Sequence, residues 1–227
     1  MQLKLIQLLG FAIGGGIIAY VINILLLRFS RSLGIRNKND VTIRWSNESK
    51  PSLGGVSFFI VFVFTAIAYS IIYSDAPNIF QNTQYIGLFI AGSLAFIMGL
   101  ADDAYNTRPL FKLFIQILCG VLFVLTDSMI DFFHVWELDA TLTVLWVVLI
   151  MNSLNMLDNM DGITGTTVFF ILLTCILSSW IIFPFNINIW ILIMSSVLGA
   201  VGGFLIMNIH PSKLFMGDAG SQFIGLF

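Results

Sequence analysis

The chain has 227 residues, of which 58% are hydrophobic and only 10% charged, with a mean hydropathy of +0.97. Soluble domains carry about 25% charged residues, so a fold in water cannot hide this much apolar surface and lipid must be the solvent for most of the chain. The net charge is -2, and no basic stripe is large enough to grip a phosphate backbone, which excludes nucleic acid as a partner.

A helical span needs about 20 apolar residues. Taken in chain order, such runs fall at Leu5–Leu27, Leu53–Tyr73, Tyr85–Ala101, Leu113–Thr126, Leu142–Leu157, Thr166–Phe183 and Ile189–Ile209. The fourth is short, and an eighth begins near Phe223 and is cut off by the last residue. The first run is longer than the apolar core of a signal peptide and reads as a permanent helix. Open strands would leave backbone groups unpaired in lipid, so helices are the spanning form. The predicted fold class is therefore all-α: a polytopic transmembrane helix bundle of seven full spans plus a partial eighth, in one membrane-embedded domain over 1–227.

Charge sets the orientation. Arg28, Arg31, Arg36, Lys38, Arg44 and Lys50 lie between the first two spans, Arg108 and Lys112 between the third and fourth, and Lys213 before the eighth. Only Lys4 falls on the other side, where the loops carry Asp75, Asp127, Asp131, Glu137 and Asp139. The positive-inside rule makes the basic loops cytoplasmic and the N-terminus external. Residues 28–52 form a basic cytoplasmic loop, part of whose charge serves to hold orientation and touch anionic lipid. Cys119 and Cys175 lack metal-site spacing and read as small buried hydrophobes. His134 and His210 read as structural.

Four cytoplasmic segments carry polar residues that a purely structural loop does not need. The first is Lys50-Pro-Ser-Leu-Gly-Gly55. The second is Asp102-Asp103 with Arg108 and Lys112. The third runs from Asn152 through Asn155, Asp158 and Asp161 to Gly162, and the fourth from Asn208 through Gly217-Asp218-Ala-Gly-Ser221. Each begins or ends a span, so all four lie at one depth and can converge. Adjacent carboxylates repel and are costly without a cation nearby. Lys112 either reaches a phosphate as a point charge or snorkels from its helix. Positions 152, 155, 158 and 161 recur every three residues and form one polar stripe at a helix end. Such stripes at the membrane edge line cavities far more often than they face lipid. A polar cap for the sixth helix accounts for Asp161 and Thr164, not for Asn152, Asn155 and Asp158. Asp218 and Ser221 can cap the eighth helix as well as act in a site. Without a His or Cys cluster, zinc is excluded. Hard oxygen ligands beside lysines suit Mg²⁺, with Mn²⁺ as the alternative, holding a diphosphate. The residues alone thus point to phosphoryl transfer at the cytoplasmic membrane surface.

These segments resemble those of the polyprenyl-phosphate N-acetylhexosamine-1-phosphate transferase family, which includes the bacterial GlcNAc-1-phosphate transferases and the phospho-MurNAc-pentapeptide translocase. The matching stretches are Pro51-x-x-Gly-Gly55, Asp102-Asp103 with Lys112, Asn152-x-x-Asn155-x-x-Asp158-x-x-Asp161-Gly162, and Phe215-Met-Gly-Asp-x-Gly-Ser221, in family order along the chain. The resemblance implies transfer of a sugar 1-phosphate from a UDP-linked N-acetylhexosamine to undecaprenyl phosphate, with loss of UMP and a need for Mg²⁺. It implies Asp218 and Asn155 as metal ligands. Asp102 and Asp103 would position or deprotonate the lipid phosphate, with Asp218 the third catalytic carboxylate. Lys112 would bind phosphate, Phe215 would stack on uracil, and Asp158, Asp161 and Asn208 would line the nucleotide pocket. Lys50, Asn152, Gly217 and Ser221 complete the substrate-binding set.

Asn159 stands where Gly is commoner in the family. The loop before Pro51 lacks the basic-Gly-Thr-Pro form of the pentapeptide translocase, which favours the GlcNAc branch. Family members continue for several more spans, with a His- or Arg-containing loop, so the resemblance also implies a C-terminally incomplete member. The implied setting is the bacterial inner membrane with the site on its cytoplasmic face. Membrane lipid is a partner, and a homodimer is left open. The competing readings are a truncated member that only binds nucleotide or lipid, and a transporter. The transporter needs polar groups spread through the membrane depth, and here they gather at one face.

Overall fold

A computed structural model describes residues 2–33, 51–73, 79–182 and 188–227. Lys50 and most of the basic 28–52 loop lie outside them. The described residues form eight helices, α1 (Gln2–Leu33), α2 (Gly54–Ile72), α3 (Thr83–Tyr105), α4 (Pro109–Leu125), α5 (Trp136–Leu157), α6 (Ile163–Ile182), α7 (Ile189–Asn208) and α8 (Gly217–Ile224), with a short 3-10 turn at Ile79–Gln81. Six of the eight are long and apolar enough to cross a membrane; α4 is apolar but only 17 residues long. The chain is a multi-pass membrane protein.

Several boundaries differ from the sequence reading. Helix α1 runs on to Leu33, so Arg28 and Arg31, expected in the 28–52 loop, are helical, and α4 starts at Pro109 rather than Leu113. Helix α3 runs past Ala101, so Asp102 and Asp103 lie in its last turn. It stops at Asn106, which adopts the left-handed conformation (φ 52°), a backbone state Asn tolerates better than most residues. Helix α5 starts earlier, at Trp136, with Glu137 and Asp139 in its first turn, where carboxylates are favoured. Helix α8 begins at Gly217 rather than near Phe223. Hydropathy misses these turns because polar residues stand in them.

Helix α7 is the interior span: 61% of its apolar window is buried inside the protein, against 17% for α1. The two pack along each other through small residues. A Cβ added at Gly199 would lie 1.8 Å from the Ala12 carbonyl oxygen, and one at Gly203 would lie 2.3 Å from that of Gly16. This close approach is the membrane solution to helix association, where apolar area supplies little drive and backbone contact supplies more. Helix α7 also contacts α2 and α6, while α3 packs on α4 and α8, and α4 on α5.

The short α8 is enclosed by α2, α3 and α5. Phe223 of α8 meets Phe59 and Phe62 of α2 edge-on, each at 5.6 Å, and Phe59 stacks on Phe96 of α3 at 4.3 Å. Gly55 of α2 abuts Gly220 of α8 so closely that a Cβ there would lie 2.1 Å from the Gly220 Cα. The same approach lets backbone pair with backbone: Phe215 N–H donates to Pro51 O (3.0 Å), Gly54 N–H to Phe215 O (3.0 Å) and Gly55 N–H to Met216 O (2.8 Å). Cys119 is buried as expected, but Cys175 is exposed on the outer side of α6.

Candidate active site at one end of the bundle

The last turn of α3, the first turn of α4, the end of α5 and the start of α8 meet at one end of the bundle. Asp102 is buried, at 3% exposure. Its Oδ1 accepts hydrogen bonds from the Thr107 N–H (2.7 Å) and hydroxyl (2.8 Å). Its Oδ2 pairs with the Lys112 ammonium. The same ammonium lies 3.9 Å from Asp218 Oδ2, so Lys112 bridges the two carboxylates.

Asp103 faces α8 instead. Its Oδ1 accepts from Asp218 N–H (3.1 Å) and its Oδ2 from Ala219 N–H (3.0 Å). The first amides of a helix have no partner inside it, and a negative charge there is favoured by the helix dipole. Asp103 therefore caps α8 from another helix. The cap demands Gly217, whose φ is +78° and whose Cβ would lie 2.5 Å from Ser52 O and 2.8 Å from Asp103 Oδ2.

Asn155 of α5 donates to Asp218 Oδ1 (2.5 Å) and to Ser221 Oγ (3.0 Å). Asp158, at the C-terminal cap of α5, accepts from the Gly217 N–H. Burial, reinforced by the charges of Asp218 and Asp103, pushes the Asp158 carboxyl up to about 7 against the pull of Gly217 N–H. Burial and contact with the Asp102 carboxyl push Asp218 up to about 7 as well, with Asn155 and Lys112 opposing. Asp103 and Asp158 thus crowd Asp218, and of the four carboxylates the Lys112 ammonium reaches Asp102 and Asp218, an arrangement that a hard cation would relieve.

Two predicted pocket residues are engaged in bracing. Asn208 is buried; its Oδ1 accepts from Gly162 N–H (3.0 Å) and its Nδ2 donates to Leu214 O (2.9 Å). Asp161 accepts from Ser212 N–H (3.0 Å) and Ser212 Oγ (2.7 Å), and lies 3.1 Å from His210 Nδ1. Together they tie the turn after α5 to the loop after α7. Phe215 is half-buried at the mouth of that loop. Asn152 lies one turn deeper on α5 than Asn155 and bonds to Gln116. The sequence reading missed Thr107, Ser212, Gln116 and Gln222. The two glutamines had a usable signal, since polar side chains within apolar helices turn inward.

The chain is a multi-pass helix bundle that gathers carboxylates, a lysine and an amide from four helices at one end. Residues 85–227 match the sequence model of glycosyl transferase family 4, and the chain belongs to that family. It is 30% identical over 185 residues to a probable undecaprenyl-phosphate N-acetylglucosaminyl 1-phosphate transferase of Bacillus subtilis, covering 77% of this chain and 48% of that protein. It is 28% identical over 239 residues to a phospho-N-acetylmuramoyl-pentapeptide-transferase of Streptococcus agalactiae, covering 94% of this chain and 70% of that protein. A Streptococcus uberis protein of the same name is 30% identical over 215 residues, covering 85% and 61%. The chain thus spans about half the length of the Bacillus relative and 70% of the Streptococcus agalactiae one.

Proposed function

We propose that this chain carries the site of a polyprenyl-phosphate sugar-1-phosphate transferase, moving N-acetylhexosamine 1-phosphate, by preference GlcNAc 1-phosphate, from a UDP-sugar to undecaprenyl phosphate at the cytoplasmic face of the bacterial inner membrane. The observation that carries this reading is Lys112 bridging Asp102 and Asp218, three residues from three helices meeting at the bundle's end. The three relatives bear transferase names of this kind, the Bacillus subtilis one a probable N-acetylglucosaminyl 1-phosphate transferase and the two streptococcal ones phospho-N-acetylmuramoyl-pentapeptide-transferases.

The donor set fits Mg²⁺. Asp218 and Asn155 would hold it, with Asp158 nearby. Among the described residues no three His, Cys, Asp or Glu side chains form a ready-made cage, and Mg²⁺ typically takes one or two carboxylates and completes its shell with water and substrate phosphates. When bound, the ion supplies charge neutralisation on the diphosphate.

The residues do the rest. A phosphate monoester has its second pKa near 6, so the lipid phosphate is already largely dianionic at neutral pH and needs no strong base. Lys112 draws that dianion toward the diphosphate, and Asp102, clamped by Thr107, holds the lysine where it can do so. An oxygen of the lipid phosphate forms a new bond to the phosphorus that carries the sugar. The bond from that phosphorus to the UMP oxygen breaks, and UMP leaves with the electron pair. Two anions must be brought in line, so positioning and charge screening account for most of the catalysis. Asp103 acts by fixing the start of α8, and hence Asp218.

The test is UMP release by the purified chain from UDP-GlcNAc and undecaprenyl phosphate, with and without Mg²⁺. Release that requires both the lipid and the metal supports the reading. A second arm uses UDP-MurNAc-pentapeptide, because relatives of that specificity align over the larger share of this chain; turnover there alone moves the substrate to that branch. Nucleotide binding with no turnover of either donor overturns the transferase reading in favour of a binding protein.

A further inference from the structure

Beneath the carboxylate cluster lies a second polar layer built from the same three helices. Lys112 and Gln116 are four residues apart on α4, Asn155 and Asn152 three apart on α5, and Asp218 and Gln222 four apart on α8. Residues at these spacings stand one above the other on a helix face. The upper members contact one another as described. The lower members do too: Gln116 Nε2 donates to Gln222 Oε1 (3.0 Å) and Asn152 Oδ1 (3.2 Å), and Asn152 Nδ2 donates to Gln116 Oε1 (2.6 Å). Gln116 and Gln222 are each 1% exposed.

Resting on the transferase reading above, we infer that Gln116, Asn152 and Gln222 form a positioning layer whose hydrogen bonds set the rotation of α4, α5 and α8, so that Lys112, Asn155 and Asp218 meet. Three observations favour this over incidental pairing of amides, of which Gln116 and Gln222 are buried and Asn152 is exposed. First, apolar packing alone leaves a helix free to rotate or slide by small amounts, whereas a directional amide pair does not. Second, the layer is uncharged, so it fixes geometry without adding to the crowded negative charge above it. Third, Gln116 reaches Gln222 and Lys112 reaches Asp218, so these two side chains, one turn apart on α4, set its register against α8. The layer also gives Asn152 a positioning task in place of substrate contact.

The experiment combines three variants of this chain with two readouts. Gln116→Leu keeps most of the volume and removes the amide. Asn152→Gln alone overfills the layer. The double variant Gln116→Asn with Asn152→Gln exchanges the two amides and keeps their summed reach. For a positioning layer, Gln116→Leu lowers kcat by about 10- to 100-fold with the KM for the UDP-sugar within about twofold, because sub-ångström misplacement of reacting groups costs rate rather than affinity. The double variant recovers most of kcat, which a loss of general stability would not do. Equal loss of kcat in Gln116→Leu and in the amide exchange, or a change confined to KM, overturns the inference.

The second readout does not depend on turnover. Backbone hydrogen exchange across 217–222 rises in Gln116→Leu and returns to the parent rate in the double variant. Unchanged exchange in Gln116→Leu overturns the layer even if transfer is found. If the parent chain transfers no sugar phosphate while exchange responds as stated, the layer stands and the transferase reading falls.

Discussion

The two ends of the bundle use the same residue types for opposite purposes. At the end away from the site, polar side chains mostly serve their own neighbourhood. Asp139 accepts from Phe132 and Phe133 N–H, seven and six residues away, Asn82 caps Tyr85 N–H, and Asn188 caps Ile191 N–H. Asp131 and His134 pair in the open, with side chains 70% and 79% exposed. At the site end the partners are remote in sequence: Asp103 with Asp218, Asn155 with Asp218, Asp161 with Ser212. Local caps satisfy a helix end and stop there. Remote pairs bring helices to one point, bury and crowd carboxylates together and so raise the pKa of Asp158 and Asp218. Functional strain therefore belongs to the second end, and variants should separate the two.

The largest effect expected is from Asp218→Asn, which keeps the shape and removes the charge. It should lower transfer by about 10³-fold or more, in line with losing a central electrostatic element of a site, as measured by UMP release at saturating Mg²⁺. Retention of normal rates would remove Asp218 from the metal role. Lys112→Gln comes next, at about 10²-fold in kcat/KM, with the loss concentrated in the KM for the lipid phosphate if Lys112 draws that anion. A loss confined to the UDP-sugar KM would reassign it.

Gly217→Ala tests the geometry rather than the charge. With φ at +78° and carbonyl and carboxylate oxygens within 3 Å of the new Cβ, the variant should destabilise the α8 start by about 1–3 kcal/mol and weaken Asp103 capping, seen as a lower melting temperature together with lost activity.

The pH dependence follows from Asp158 and Asp218, both held near 7. A carboxyl raised above its unfolded value favours the fold while it is protonated. The cation-free protein should therefore lose stability as pH rises from the ordinary carboxylate range through about 7. Mg²⁺ requires the ionised groups and should reverse that loss, so the Mg²⁺-induced rise in melting temperature should be larger at about pH 8 than at about pH 6. Equal shifts at both values would separate the cation from these two carboxyls. The smallest functional effect is expected at the other end: Asp139→Ala should lower the melting temperature by freeing the 130–135 loop and leave kcat unchanged. A large drop in kcat would break the contrast between the ends.

Much of the architecture was legible in the sequence because lipid imposes a simple rule. Runs such as Leu53–Tyr73 and Ile189–Ile209 have no alternative to a helix in hydrocarbon, and their positions agree with α2 and α7 within a residue or so. The one-sided gathering of Asp102, Asp103, Asp158 and Asp218 followed from counting spans. What hydropathy could not read were polar helical turns, hence the late start assigned to α5 and α8.

The chain's own order of residues determined that it is a multi-pass helical protein and that its polar segments share one end, since burial cost and span length depend on composition and spacing alone. Only the tertiary structure decided who meets whom: that Asp103 caps α8 while Asp102 takes Lys112, that Asn208 and Asp161 brace loops, and that Gln116 joins Asn152 and Gln222. Those pairings depend on the rotation of each helix about its axis, which is set by close contacts such as Gly55 with Gly220 and Gly16 with Gly203, and no single-helix periodicity encodes them.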